Sequence, residues 1–140
     1  MKIAAAKIFA RYIVNKNKKW VNNPVSSQKK TFKKLIASGR KTLFGKDHNF
    51  NTISDPTDFA KQVPVRDYEG LRSYIDRIVC GEEDVVWPGK PLYFSKTSGT
   101  TSGAKYIPIT KESMPTHINS ARDALLTYIN FTGKTDFIKG

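Results

Sequence analysis

The sequence predicts an α/β chain that is mostly helical, with one strand–loop–strand unit followed by a long helix. Three observations carry this. Apolar residues recur at helical spacing early, midway and late in the chain. Two short runs, Leu92-Tyr93-Phe94 and Tyr106-Ile107-Pro108-Ile109, are rich in aromatic and β-branched residues and bounded by turn formers, which marks strands. Between them lies a stretch of hydroxyl residues and glycines that suits neither a helix nor a packed core.

Taken in order, Ile3 to about Lys19 reads as a helix, with Ile8/Phe9 and Tyr12/Ile13 at i, i+4 spacing. Asn22-Asn23-Pro24 ends it. Ser26 or Ser27 is expected to cap a second helix through roughly Ser38, with Phe32, Leu35 and Ile36 on one face. Gly39 and Gly45 bracket a short connection. Residues 45–57 read as loop, ahead of a short turn at Asp58–Gln62. Asp67 caps a third helix whose buried stripe is Leu71, Tyr74, Ile75 and Ile78, and Gly81 stops it. Trp87-Pro88-Gly89 is a turn that delivers the chain to the first strand. After the loop, Thr110 is the expected N-cap of a helix to about Asn130, with Met114, Ile118, Ala121, Leu125 and Tyr128 facing inward. No internal repeat or low-complexity segment is visible.

At 140 residues the chain is long enough for one domain with a core. Its net charge of +12 is unevenly placed: residues 1–50, a basic helical segment, hold 13 Lys/Arg and one acid, Asp47. Such a block can mark contact with nucleic acid or an anionic membrane, with Phe9, Tyr12, Trp20, Phe32, Phe44 and Phe50 as stacking groups. It can equally be the solvated face of amphipathic helices whose aromatics turn inward, and this is the expectation. A single cysteine, Cys80, cannot form an internal disulfide and argues for a reducing compartment. The apolar start is broken by Lys2 and Lys7, and no run approaches membrane-spanning length, so a cytoplasmic location without membrane partners is expected.

The stretch from Phe94 to Lys105 holds six hydroxyl side chains, five of them crowded into residues 97–102 (Thr97, Ser98, Thr100, Thr101, Ser102), with two glycines (Gly99, Gly103) and a terminal lysine. Glycines let the backbone take left-handed conformations and approach a ligand closely. Successive N–H groups in such turns make concave anion sites. Hydroxyls add donors, and Lys105 adds a compact positive charge. The combination fits a phosphate chain. It is not a Walker loop: counted from Gly99, the second glycine falls on Ala104 and the hydroxyl position on Tyr106, and Ile107-Pro108-Ile109 is strand rather than helix. The dinucleotide pattern Gly-x-Gly-x-x-Gly is absent as well.

What remains resembles the AMP-binding signature of acyl-adenylate-forming enzymes, which Phe94, Thr97, Ser98, Gly99, Thr100, Thr101, Ser102, Ala104 and Lys105 satisfy in order. The flanks Val63-Pro64-Val65, Tyr68-Glu69-Gly70-Leu71, Tyr74-Ile75, Gly81-Glu82, Trp87-Pro88-Gly89-Lys90-Pro91 and Tyr106-Ile107-Pro108-Ile109-Thr110 narrow this. Together they resemble the auxin-responsive Gretchen Hagen family of acyl-acid amido synthetases in its bacterial form, from about Lys33 onward. Ser102 stands where most adenylating enzymes have Gly.

The resemblance implies that residues 1–140 are the N-terminal portion of a larger, here incomplete, acyl-adenylating domain, with residues 91–110 as the strand–loop–strand carrying the motif. It implies an ATP-dependent ligase that adenylates a carboxylic acid and passes the acyl group to an amine or amino acid. Thr97, Ser98, Gly99, Thr100, Thr101, Ser102, Gly103 and Lys105 would bind ATP, accompanied by Mg²⁺. No adenine-binding, ribose-binding or mobile C-terminal element matches, so the 140-residue chain alone is expected to be inactive.

No catalytic residue or metal-ligand cluster is assigned. His48, in a polar loop, and His117, beside the last helix's apolar stripe, read as structural, and two histidines with one cysteine do not suggest zinc. Cys80, at a helix end, is not activated, and Glu82-Glu83-Asp84 reads as a solvated turn. Two classes stay open: part of an adenylating ligase, or a basic nucleic-acid-binding module using residues 1–50.

Overall fold

The structure, a computed structural model, describes residues 2–97 and 103–136. Its elements are α1 (Lys2–Val21), α2 (Pro24–Gly39), α3 (Leu43–Asp47), α4 (Pro56–Gln62), α5 (Tyr68–Val79), β1 (Tyr93–Thr97), β2 (Lys105–Ile109) and α6 (Met114–Thr132). The fold is mixed, predominantly helical, with a two-stranded antiparallel sheet. The chain divides into two compact units, residues 1–27 with 112–140, and residues 28–111.

In the first unit α1 packs on α6 through Ala10, Ile13, Leu126 and Ile129. No Gly or Pro interrupts α1, and Lys18 and Lys19 in its last turn suit the negative end of the helix dipole. The expected faces are only partly correct. Ile13 is buried, but Ile8, Phe9 and Tyr12 are exposed, and the inward position of fully buried Ala10 is one the apolar count passed over. On α6 the expected period holds while its phase is off by one residue. Ile118, Ala121, Leu125 and Tyr128 are exposed, whereas Leu126 and Ile129 are buried. One residue is about 100° of helix rotation. The half-buried face of α6 carries a polar residue, Asp123, whose carboxylate accepts a 3.2 Å hydrogen bond from Asn17 of α1. A search for an all-apolar stripe therefore selects the wrong face.

The start of α6 is also corrected. Thr110 does not cap it; Ser113 precedes its first residue and makes no side-chain cap bond. A helix opened by Thr110 would place Pro115 at its fifth position, where an N–H is needed and the ring collides with the preceding turn. Starting at Met114 puts Pro115 in the first turn, where no N–H is missed. Proline sets the start of α2 in the same way: Pro24 occupies its first position, and Ser27, expected at or near the cap, already donates to the Asn23 carbonyl at 3.0 Å inside the helix.

The second unit holds two apolar clusters. One joins Ile36, Phe50 and Ile53, with Phe32, Phe44, Phe59 and Val63 packed against it; Leu35, expected alongside Ile36, is exposed. The stretch 45–57, expected to be loop, contains most of α3 and a packed turn. Thr42 caps α3: its hydroxyl donates to the Gly39 carbonyl at 2.7 Å and accepts from the Gly45 amide at 3.0 Å. Gly45 is needed there because a Cβ would lie 2.0 Å from the Gly39 carbonyl oxygen. His48 closes α3, buried, stacked on Phe44 with Nδ1 2.9 Å from the Phe44 carbonyl oxygen. That is a structural role. α4 begins earlier than the expected turn, under Asp55, which accepts from the Thr57 and Asp58 amides.

The other cluster joins Ile75, Ile78 and Val85, flanked by Leu43, Tyr68, Tyr74, Val86 and Tyr106. Here α5 follows expectation: Asp67 caps it, accepting from the Gly70 amide at 2.9 Å, and Cys80 closes it ahead of Gly81. The acidic turn that follows is exposed but organised. Glu82 pairs with Arg77, Glu83 with Lys90, and Asp84 accepts from the Gly89 amide at 2.7 Å.

Candidate functional site

β1 and β2 pair Tyr93 with Ile109, Phe94 with Pro108, Ser95 with Ile107, Lys96 with Tyr106 and Thr97 with Lys105. Residues directly opposite in an antiparallel pair share a face. Thr97 and Lys105 therefore flank the ends of the connecting stretch on one face, with residues 98–104 between them. Ser98, Gly99, Thr100, Thr101 and Ser102 lie outside the described residues. Gly103, which is described, has φ +80°, a left-handed conformation that a side chain would strain. Among the described residues nothing lies within 4 Å of the position of its missing Cβ, so the constraint they impose there is conformational rather than steric.

The exit strand is tied to α5. The Tyr106 amide donates to the Tyr68 hydroxyl at 2.8 Å, a bond spanning 38 positions of sequence. That amide points away from β1. Because the direction alternates along a strand, the amide position of Pro108, two residues on, also points away. A proline there costs β2 no bond to β1.

Cations gather around the same tyrosines. The Lys105 ammonium lies 5.4 Å from the centre of the Tyr68 ring, and the Arg72 guanidinium carbon also lies 5.4 Å from it. Lys96 lies 5.9 Å from the ring of Tyr106. All are within cation–π range. Arg72 grips Glu69 with two bonds of 2.6 and 2.8 Å, and that grip, aided by the charges of Arg72 and Lys105, holds the Glu69 carboxyl below its usual range. Lys96 and Lys105 thus bring positive charge to the ends of the connecting stretch, partly offset by the Glu69 carboxylate.

Tyr68 is the residue that sequence reasoning missed as part of the site. Only its place in the Tyr-Glu-Gly-Leu flank drew notice, and no local pattern reports a contact over 38 positions. His117 is exposed on α6, and Cys80 is exposed at the end of α5. Among the described residues, no cluster of three or more His, Cys, Asp or Glu side chains is arranged for a metal ion. Nor is any described helix long and apolar enough to cross a membrane.

The class is a mostly helical chain with one two-stranded antiparallel unit whose second strand is tied to a tyrosine of α5. The GH3 family N-terminal domain matches residues 14–137. The chain belongs to the GH3 family. It is 40% identical over 85 residues to the indole-3-acetic acid-amido synthetase GH3.15 of Arabidopsis thaliana, a match over 59% of this chain and 14% of that protein. It is 34% identical over 89 residues to the jasmonoyl–L-amino acid synthetase JAR6 of Nicotiana attenuata, covering 62% of this chain and 15% of that protein. A jasmonoyl–L-amino acid synthetase GH3.3 of Oryza sativa subsp. japonica is 31% identical over 87 residues, 61% of this chain and 19% of that protein. The chain thus spans about a seventh of the length of the first two relatives.

Proposed function

We propose that residues 97–105 form the polyphosphate loop of an ATP-dependent acyl-acid amido synthetase. In this reading a carboxylate oxygen of the acid attacks the α-phosphorus of ATP, and pyrophosphate leaves. The nitrogen of an amine or amino acid then attacks the acyl carbon; AMP leaves, the nitrogen loses a proton and an amide forms. Mg²⁺ would accompany ATP and offset part of its charge. The chain's contribution is to hold the polyanion and offset the charge that builds on phosphoryl oxygens, using donors set before the reaction begins. Ser98, Thr100, Thr101 and Ser102 offer hydroxyls, Gly99 and Gly103 a backbone that can approach closely, and Lys105 the cation.

The observation that carries the reading is the pairing of Thr97 with Lys105, which brings the two ends of the hydroxyl-rich stretch together with the cations of Lys96 and Lys105 close by. The similarity to an indole-3-acetic acid-amido synthetase and to jasmonoyl–L-amino acid synthetases supports it. ATP supply and a free thiol agree with a cytoplasmic setting.

The test is acid-dependent exchange between ATP and labelled pyrophosphate, run on the 140-residue chain and on that chain joined to the remaining length of a family synthetase. Exchange is expected in the joined polypeptide alone, falling roughly a hundredfold with Thr100→Ala or Ser98→Ala, while the fold is unchanged. Exchange that is indifferent to both substitutions in a folded protein overturns the reading.

A second reading draws on exposed aromatics. Tyr12 and Trp20, expected to face inward, are both more than half exposed on α1, among six lysines and arginines. Phe9 is exposed as well, Phe32 and Phe44 are half-buried, and only Phe50 follows the inward expectation fully. If residues 1–50 contact nucleic acid, filter binding must weaken steeply between two salt concentrations. The adenylating reading predicts no such high-affinity component.

A further inference from the structure

Tyr68 stands on a well-held element. Asp67 caps the helix start, and Ile75 and Ile78 bury the same helix against Val85. From that base the Tyr68 side chain does two separate things: its hydroxyl accepts from the Tyr106 amide at 2.8 Å, and its ring faces the Lys105 ammonium at 5.4 Å. These are adjacent residues of the strand that leaves the loop. A lysine loses much rotamer freedom when it docks on a ligand. A ring that already restricts it lowers that cost, and a fixed strand start keeps the loop's exit in register with Thr97.

We infer that Tyr68 is a positioning residue for the polyphosphate contact of Lys105, fixing the exit strand through its hydroxyl and holding the Lys105 ammonium at the start of that strand through its ring. This rests on the polyphosphate reading above. Tyr74 supplies the control. It lies on the same helix, but its hydroxyl donates to Asp47 at 2.8 Å and its ring packs edge-on to Phe44.

The experiment is NMR of the isotopically labelled 140-residue chain, titrated with inorganic pyrophosphate, as wild type and as Tyr68→Phe, Tyr68→Leu, Tyr74→Phe and Thr100→Ala. In the wild type, the Lys105 side-chain protons are expected to be displaced by the ring current of Tyr68, and the Tyr106 amide to be protected from exchange. Tyr68→Phe should leave the Lys105 displacement, speed Tyr106 exchange and weaken pyrophosphate binding roughly three- to tenfold. Tyr68→Leu should also abolish the displacement. Tyr74→Phe should leave pyrophosphate binding at the wild-type level.

Equal weakening by Tyr68→Phe and Tyr74→Phe would reduce Tyr68 to a structural residue. An undisplaced Lys105 or an unprotected Tyr106 amide in the wild type would overturn the inference even if every variant unfolds. Binding that is absent, or unaffected by Thr100→Ala, overturns the polyphosphate reading instead. The wild-type Lys105 and Tyr106 signals then decide the placement of Tyr68 by themselves.

Discussion

The Tyr68 hydroxyl accepts the amide of Tyr106 at 2.8 Å and thereby joins the start of α5 to the strand leaving the hydroxyl-rich loop. One bond serves two purposes. It satisfies a half-buried amide that β1 cannot reach, and it fixes the direction in which every later amide of β2 points. Ile107 and Ile109 aim theirs at β1; Tyr106 and Pro108 aim away.

Proline tolerance should therefore alternate along β2. Pro108→Ala is expected to change stability by less than about 0.5 kcal/mol, because no bond to β1 is gained or lost. Ile107→Pro removes a donor to β1 and is expected to cost about 3 kcal/mol or to prevent pairing. Urea unfolding of the two variants measures this; equal costs would mean the register is wrong.

The two adjacent leucines of α6 should behave oppositely. Leu126 is 7% exposed among Ala10, Ile13 and Ile129, whereas Leu125 is 55% exposed. Leu126→Ala is expected to cost about 2–4 kcal/mol through the cavity it leaves, and Leu125→Ala under about 1 kcal/mol. Reversed costs in thermal or urea unfolding would restore the phase that an all-apolar stripe predicts.

Gly45 should not accept a side chain. Its Cβ would meet the Gly39 carbonyl oxygen at 2.0 Å, and backbone cannot yield as a flexible side chain can. Gly45→Ala is expected to cost more than about 2 kcal/mol, against about 1–2 kcal/mol for loss of the cap in Thr42→Ala. A Gly45→Ala protein as stable as the wild type would show that this turn is built differently.

Acidification should act through carboxylates held below their usual range. Hydrogen bonds from Ser54 lower Asp58, the Arg77 grip lowers Glu82, and Arg122 with Asn17 lowers Asp123. A carboxyl whose folded value lies below its unfolded value stabilises the fold above the unfolded value, and that stabilisation is lost as pH falls through the folded one. The window therefore lies at and below the ordinary values of 3.8 for Asp and 4.5 for Glu. Glu82 is exposed while Asp58 and Asp123 are half-buried, so the effect is best read site by site. The Glu82 carboxyl should titrate below ordinary glutamate by NMR and return towards it in Arg77→Gln. A Glu82 midpoint unchanged by that substitution would deny the pair any role.

Legibility in the sequence followed how local each cause was. The cap of α5 could be read because Asp67 and the Gly70 amide lie three residues apart. The two strands and the break between them could be read from composition. The start of α6 was legible in Pro115, yet Thr110 was the more familiar signal. The inward faces of α1 and α6 were not legible, because small Ala10 and the Asn17–Asp123 bond occupy positions that an apolar count ignores. The packed turn after α3 was hidden among polar residues, with Phe50 and Ile53 spaced too irregularly to reveal a core. Tyr68 at the loop exit depended on a contact no neighbouring residue announces.

In the proposed function polyphosphate meets this chain at residues 97–105 rather than along its basic first 50 residues. ATP carrying a photoreactive group on its γ-phosphate tests it directly. Trypsin cuts after Lys96 and Lys105, so an adduct in the loop travels on the single peptide Thr97–Lys105. The label is expected on that peptide, with excess pyrophosphate removing it. Label confined to peptides from residues 1–50, with Thr97–Lys105 unmodified, would contradict it.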